Sequence, residues 1–297
     1  MKVCGQEIKI RGRLIRVASL SADTYEFVDN PEETIKSLKN CPERIDLFTF
    51  MQKLPDTSPK YSYPMEWDNL AVLPVSTFEH WWTKQVNDKT RNMARRAEKK
   101  GVTIREVPLD DAFIEGVWAI YNECEIRQGK RYPHYGKDLA TVHNMTATFL
   151  DRSAFIGAYL DNRLIGFVKL LCDESRTQAG LVHILSLVQY RDKAPTNALL
   201  AAAVRYCATH KIPYLVYSRY SDGKKEQDSL MDFKEHNGFK RVNLPRYFVP
   251  LTQAGRVALH LGLQKRMIDH IPEPVLVKLR NARSFWYAMK LNVSKSI

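Results

Sequence analysis

None of the five cysteines, Cys4, Cys41, Cys124, Cys172 and Cys207, stands in a Cys-x-x-Cys pair, and their number is odd. That pattern argues against a disulfide framework and a zinc ribbon, and no metal site is expected. Each thiol reads as a small buried apolar residue in a reducing compartment. The opening residues, Met1-Lys-Val-Cys-Gly-Gln-Glu-Ile8, hold no apolar stretch of the signal-peptide kind. The longest apolar runs, Ala198–Val204 and Leu181–Val188, fall far short of the ~20 residues that a membrane-spanning helix needs. The expected location is therefore the cytoplasm. Gly-x-Ser-x-Gly, His-Glu-x-x-His, Walker A and Gly-x-Gly-x-x-Gly patterns are missing. Their absence argues against serine hydrolases, zincins, P-loop NTPases and Rossmann dehydrogenases. Internal repeats and low-complexity tracts are absent too.

What is present is a chain of 297 residues, 44% hydrophobic and 10% aromatic, enough to build a sizeable core. Its formal charge of +12 is unevenly spread. Residues 84–106 carry eight Lys/Arg against three Asp/Glu, and residues 252–297 carry eight against two. Nearly all the excess sits in these two segments, which points to an anionic partner rather than to general solubility.

The pattern of apolar residues predicts strands in 6–19, 45–51 and 70–74, a short helix at Asn30–Leu38 and a loop at Leu54–Pro64. Ser76-Thr-Phe-Glu79 reads as a capping box opening one long helix that ends at Lys100, before Gly101. From residue 102 the order is β-α-α-β-β-β-α-β-α-β, with a hairpin turning at Asp161-Asn162. This order predicts an α/β (α+β) protein with a mixed, largely antiparallel central sheet flanked by helices. The expected organisation is a truncated α/β half in 1–75, a main domain in 76–251, and a basic amphipathic helical tail in 252–297, broken at Pro272-Glu-Pro274.

Phe233-Lys234 stands out because a lysine on a short helix between strands can face an anion or a developing oxyanion. The competing reading is a solvated lysine on an amphipathic helix. Asp222, His183, Glu235 and His236 are candidate general bases for an amine nucleophile; a lone strand histidine such as His183 is more often a core residue. Lys130, Arg131, Tyr132, His134 and Tyr135 interleave aromatics with cations, as a sugar, nucleotide or lipid-head site would, or as an exposed loop with packed tyrosines would. Arg91, Arg95, Arg96, Lys99 and Lys100 form a basic helix face that could neutralise phosphates or simply be solvated. In the tail, Val257, Leu261 and Ile268 with Lys265 and Arg266, and Phe285-Trp-Tyr287 with Arg280, Arg283 and Lys290, suit an anionic membrane surface or packing against the main domain.

Ala154-Phe-Ile-Gly-Ala-Tyr-Leu-Asp-Asn-Arg-Leu-Ile-Gly-Phe167 resembles the central hairpin of GNAT acyltransferases. Thr90-Arg-Asn-Met-Ala-Arg-Arg-Ala-Glu-Lys-Lys-Gly-Val102, Ala194-Pro-Thr-Asn-Ala-Leu-Leu200 and Leu230-Met-Asp-Phe-Lys-Glu-His-Asn-Gly-Phe239 resemble segments of the Fem-like branch, which includes tRNA-dependent aminoacyltransferases and polysaccharide-biosynthesis acyltransferases. Together they cover about residues 65–250. Where acetyl-CoA enzymes carry a glycine-rich pyrophosphate loop, this chain has Gln189-Tyr-Arg-Asp-Lys-Ala-Pro-Thr-Asn197, without glycine and with Pro195 lacking an amide hydrogen. Lys234 also stands where many of those enzymes have a tyrosine. The resemblance implies transfer of an acyl or aminoacyl group to an amine by direct attack. It implies no permanently bound cofactor. It further implies a donor, aminoacyl-tRNA or acyl-CoA, met by Gln189, Arg191, Lys193, Thr196 and Asn197. The acceptor could be a cell-envelope precursor, with peripheral contact at the inner membrane surface through the tail. Two alternatives stay open: an orthodox acetyl-CoA-dependent N-acetyltransferase, and a non-catalytic module binding RNA or membrane.

Overall fold

The strands form where apolar residues run or alternate, and the helices begin where a short polar side chain can close the first turn. The computed structural model describes residues 1–127, 130–221 and 229–264, with helical pieces at 274–275, 277–279, 281–282 and 285–286. The strands are β1 (Lys2–Val3), β2 (Gln6–Arg11), β3 (Val17–Leu20), β4 (Leu47–Met51), β5 (Met65–Pro74), β6 (Thr103–Val107), β7 (Ile126–Arg127), β8 (Lys130–Arg131), β9 (Ser153–Leu160), β10 (Arg163–Cys172), β11 (Gln178–Ser186), β12 (Tyr214–Arg219) and β13 (Lys240–Pro250). The helices are α1 (Pro31–Lys39), α2 (Phe78–His80), α3 (Asp88–Lys99), α4 (Asp111–Asn122), α5 (Leu139–Thr146), α6 (Pro195–Thr209), α7 (Ser229–His236) and α8 (Gln253–His260).

Helices α1, α4 and α5 start at Asn30, Asp110 and Asp138, whose side chains accept the amides of Glu33, Phe113 and Thr141. Each such cap is worth about 1 kcal/mol. The long helix expected from Ser76 to Lys100 is instead two. Thr77, not Ser76, caps the first turn, a π-helical turn follows at Trp81–Gln85, and the backbone breaks to an extended conformation at Val86. Asn87 then caps α3 by accepting from Thr90 N at 2.8 Å. The break is held by α7: Asn87 N donates to His236 O, and buried Trp81 donates Nε1–H to Asn237 O at 3.0 Å. Gly101, at φ +80°, ends α3 where the reading placed the stop.

Among the described residues, eleven strands form one sheet in the order β1-β2-β3-β4-β13-β5-β12-β11-β10-β9-β6. Only β3/β4 and β11/β12 pair in parallel, so the expected mixed, largely antiparallel sheet is the observed one. The β9–β10 hairpin turns on Asp161 and Asn162, both with positive φ, as a two-residue type I′ turn requires. Strand β10 is buried along nearly its whole length, because helices cover both faces. Phe167 meets Phe113 of α4 on one face, while neighbouring Gly166 lies against Leu199 of α6 on the other. Ile126–Arg127, expected as the end of the helix from Asp110, and Lys130–Arg131, expected as loop, instead make a small antiparallel pair, β7/β8, beyond α4. In the tail only α8 and the helical pieces are described; Pro272, Lys265, Arg266, Ile268, Arg280, Arg283, Tyr287 and Lys290 lie outside the described residues, as does Asp222.

Candidate functional site

Strands β11 and β12 begin as neighbours and then part. Their register holds only for Gln178–Tyr214, Ala179–Leu215 and Gly180–Val216. Beyond it, Leu181–Ser186 has no partner on β12, and a one-residue bulge at Val182 re-aims β11 against β10. The opening faces the carboxyl ends of both strands, a position where ligands of α/β sheets commonly lodge.

At its mouth lie a short 3-10 turn, Val188–Lys193, and the start of α6. Ala194, with φ 53°, stands at the N-cap and offers no side-chain cap, and Pro195 takes N1. Thr196 is tied to Ser186, hydroxyl to hydroxyl, at 3.0 Å. Gln189, Arg191, Lys193, Thr196 and Asn197 therefore gather at one end of one helix. The strand-exit amides are already engaged: Glu123, at the end of α4, accepts Val188 N at 2.6 Å and Gln189 N at 3.1 Å. Arg127 locks that carboxylate at 3.2 Å and also donates to the carbonyls of Ile120 and Ser186.

On the α4 face, His183 of β11 stands opposite Lys169 of β10. Around the His183 ring are Tyr121 at 6.0 Å, His134 at 5.5 Å and Phe167 at 6.1 Å between centroids. His134 stacks on Tyr121 at 4.6 Å, and Tyr132 closes the group edge-on at 5.2 Å from His134. Burial, then the charges of His134 and Lys169, pull the His183 pKa down to about 4. Burial and Lys137 lower that of His134 as well. Both imidazoles are thus neutral at pH 7. Three buried polar atoms here, Tyr132 Oη, His134 Nδ1 and Arg127 Nε, have no hydrogen-bond partner among the described residues. Unsatisfied buried groups cost about 1–3 kcal/mol each, so such a cluster is what an absent polar ligand would leave behind.

Lys169 was passed over in the sequence, although a cation inside Phe167-Val-Lys-Leu-Leu-Cys172 was signal enough. It is almost fully buried. Its ammonium donates to Thr146 O at 2.8 Å, Thr148 O at 2.6 Å and Thr148 Oγ1 at 2.9 Å, pinning the end of α5 to the sheet. Burial presses its pKa down to about 8. Glu123, Arg127 and Tyr121 were also missed; none belongs to a motif that spacing reveals.

Lys234 lies on the other side of the opening. It is 3% exposed, not solvated. Its ammonium donates to Arg219 O and to Tyr220 O, and sits 5.1 Å from the Tyr217 ring centre. It so fastens α7 to the exit of β12 and leaves a buried positive charge beside the cleft. Glu235 and His236 point to solvent. Of the acceptor candidates, Tyr132 and His134 join His183, whereas Arg131 pairs with Glu125 at 3.5 Å on the surface and Tyr135 is 39% exposed. The Lys130 backbone is in β8; its side chain is outside the described residues.

The basic face of α3 borders a groove of about 660 Å³ between α3 and α6. Arg95 lies 5.6 Å from the Trp82 ring centre and Arg205 3.7 Å from that of Phe78. Arg91 bonds Trp82 O at 2.6 Å and pairs with Asp88, while Arg96, Lys99 and Lys100 are exposed.

These features, a sheet splayed between two parallel strands with a helix starting at the mouth, allow comparison with solved structures. The chain superposes on the C-terminal domain of a protein assigned as a lysylphosphatidylglycerol synthetase from Agrobacterium fabrum, with a TM-score of 0.57 and 13% identity over 85% of this chain and 82% of that one. L-PGS from Bacillus licheniformis gives 0.56 and 11%, covering 87% and 86%. FemX gives 0.52 and 11%, covering 78% and 71%. The fold is the Fem-like GNAT fold. No family model and no curated protein matches the sequence. In this Fem-like frame, no helix of the described residues is long and apolar enough to cross a membrane.

Proposed function

We propose that this protein is an acyltransferase that moves an aminoacyl group from an ester donor, aminoacyl-tRNA, to an amine. The reading is carried by the imidazole pair on the face of the splayed strand: His183 is held neutral by burial beside His134, Tyr121 and unpartnered polar atoms. In the proposed reaction the amine nitrogen attacks the ester carbonyl, the new C–N bond forms, and the C–O bond to ribose breaks. The attacking nitrogen gives up its proton to His183 Nε2 or Nδ1, and the departing oxygen takes one up. With a pKa near 4, His183 carries no proton at pH 7 and is free to accept one, with a weak pull on the ammonium of the tetrahedral intermediate. Lys234 supplies positive potential beside the cleft without proton transfer.

A tRNA donor is favoured over acyl-CoA by one observation. Glu123 already fills the amides of Val188 and Gln189, and Pro195 removes another, so few backbone donors remain for a pyrophosphate. The exposed cations of α3 suit a phosphate chain instead. The test is transfer from labelled aminoacyl-tRNA to a set of small amines, run beside calorimetry with acetyl-CoA. Turnover that falls at least 100-fold in His183→Gln and drops steeply between 50 and 200 mM salt supports the reading. Tight acetyl-CoA binding with no transfer from tRNA would overturn it.

A further inference from the structure

We propose that a cleft at the opposite end of β11 from the acyl-transfer site binds a small organic cation, a primary alkylammonium. The proposal stands apart from the acyl-transfer reading and does not depend on it. The cleft, about 300 Å³, lies between the N-terminal segment (Tyr25, Glu26, Phe27) and the β9 and β10 ends (Arg152, Asp173). It opens into a wider depression of about 860 Å³ that shares Glu26 and Arg152.

Glu26 is 8% exposed. One carboxylate oxygen accepts from Arg152 Nη2 at 2.9 Å; the other, Oε2, is buried and has no partner among the described residues. A half-satisfied buried carboxylate is costly unless a donor arrives. Four carboxylates line the cleft, Glu26, Asp29, Asp173 and Glu174, against two cations, Lys53 and Arg152. In a chain of net charge +12 this is a local reversal of sign.

The cleft already handles one ammonium in the manner proposed. Lys53 pairs with Asp173 and lies 5.9 Å from the Phe27 ring centre, so carboxylate and aromatic face act together on a cation. Asp173 is fully spent, accepting also from Ser175 Oγ at 2.6 Å and Gln178 N at 2.7 Å. The remaining valence is that of Glu26 Oε2, with exposed Asp29 and Glu174 at the rim. Among the described residues no group of three carboxylate, imidazole or thiol ligands could hold a metal ion. One directional acceptor with aromatic walls suits an R–NH₃⁺ group whose methylenes rest on Phe27 and Tyr25.

The test is calorimetric titration of the full chain with 1,4-diaminobutane dihydrochloride at constant ionic strength, with 1-butanol and sodium chloride as controls. The expected result is saturable 1:1 binding that Glu26→Gln weakens at least tenfold and Asp29→Asn/Glu174→Gln weakens several-fold. The double variant touches only exposed side chains and keeps the test valid if Glu26→Gln fails to fold. Absence of saturable heat in the wild type, equal binding of butanol, or unchanged affinity in the surface double variant would overturn the proposal.

Discussion

Adding one methyl group at Gly180 should expel a side chain that lies 155 residues earlier in the chain. A Cβ at this position would fall 1.9 Å from Tyr25 Cδ1, 2.3 Å from Cε1 and 2.8 Å from Cγ. Carbon atoms rest about 3.5–4.0 Å apart, so the ring would have to retreat by roughly 1.5 Å. Tyr25 cannot do so cheaply: its hydroxyl donates to Leu181 O at 3.5 Å, and the next residues, Glu26 and Phe27, are buried. Overpacking of this sort costs about 1–3 kcal/mol, and a rigid ring against a sheet backbone belongs at the upper end. Tyr25→Ala alone should cost about 3 kcal/mol, by analogy with other buried aromatic truncations. In the Tyr25→Ala background the same Gly180→Ala change should be neutral or stabilising by up to ~1 kcal/mol, because alanine has less backbone entropy to lose. The cycle therefore predicts a coupling of about 2–3 kcal/mol. It is read from urea midpoints at unchanged m, followed by tryptophan fluorescence. If Gly180→Ala is equally damaging with and without Tyr25, the clash is not its cause and the packing of the N-terminal segment on β11 is wrong.

Because burial lowers the His183 pKa to about 4, the acid limb of kcat/KM should fall near pH 4–5 rather than at 6.5. The same shift means that the unfolded chain binds the extra proton between those values, so stability should fall as pH drops from 6.5 to 4. His183→Gln should flatten that slope in acid-denaturation curves. For Lys169, folded near 8 and unfolded near 10.4, the unfolded state holds more protons in between. Wild-type stability should then gain up to about 1.4 kcal/mol per pH unit in that window relative to Lys169→Met, and parallel urea midpoints for the two proteins would refute the burial argument. Trp81→Phe leaves Asn237 O without its donor inside the core, and should lower stability by about 1–3 kcal/mol in the same assay.

Much of the frame was legible. Alternating and continuous apolar runs give the strands, and Asp161-Asn162 gives the hairpin, because these signals are local. The long helix from Ser76 was misread for a reason local rules do not contain: Trp81 bonds Asn237, 156 residues on, and Asn87 bonds His236 of α7, and these contacts reward a break. In the candidate site, His183, His134 and Tyr132 were each visible as residue types, but their meeting depends on the register that sets His183 against Lys169. Lys234 was legible as a residue of interest, while its burial came from the path of β12. Glu123 could not be found, since what it does is accept two amides 65 and 66 residues away.

Strand β13 is the last strand among the described residues, yet it lies in the interior of the sheet, between β4 and β5. Residues 47–51 and 65–74 each keep an open edge until residues 240–250 arrive to pair with both. At about 5–20 residues per second, a ribosome needs on the order of ten seconds or more to make the intervening segment. The two halves of the sheet cannot be joined during that time. Closure is thus a late event with large loop-closing entropy, and the nascent chain carries two apolar strand edges that other polypeptides could capture.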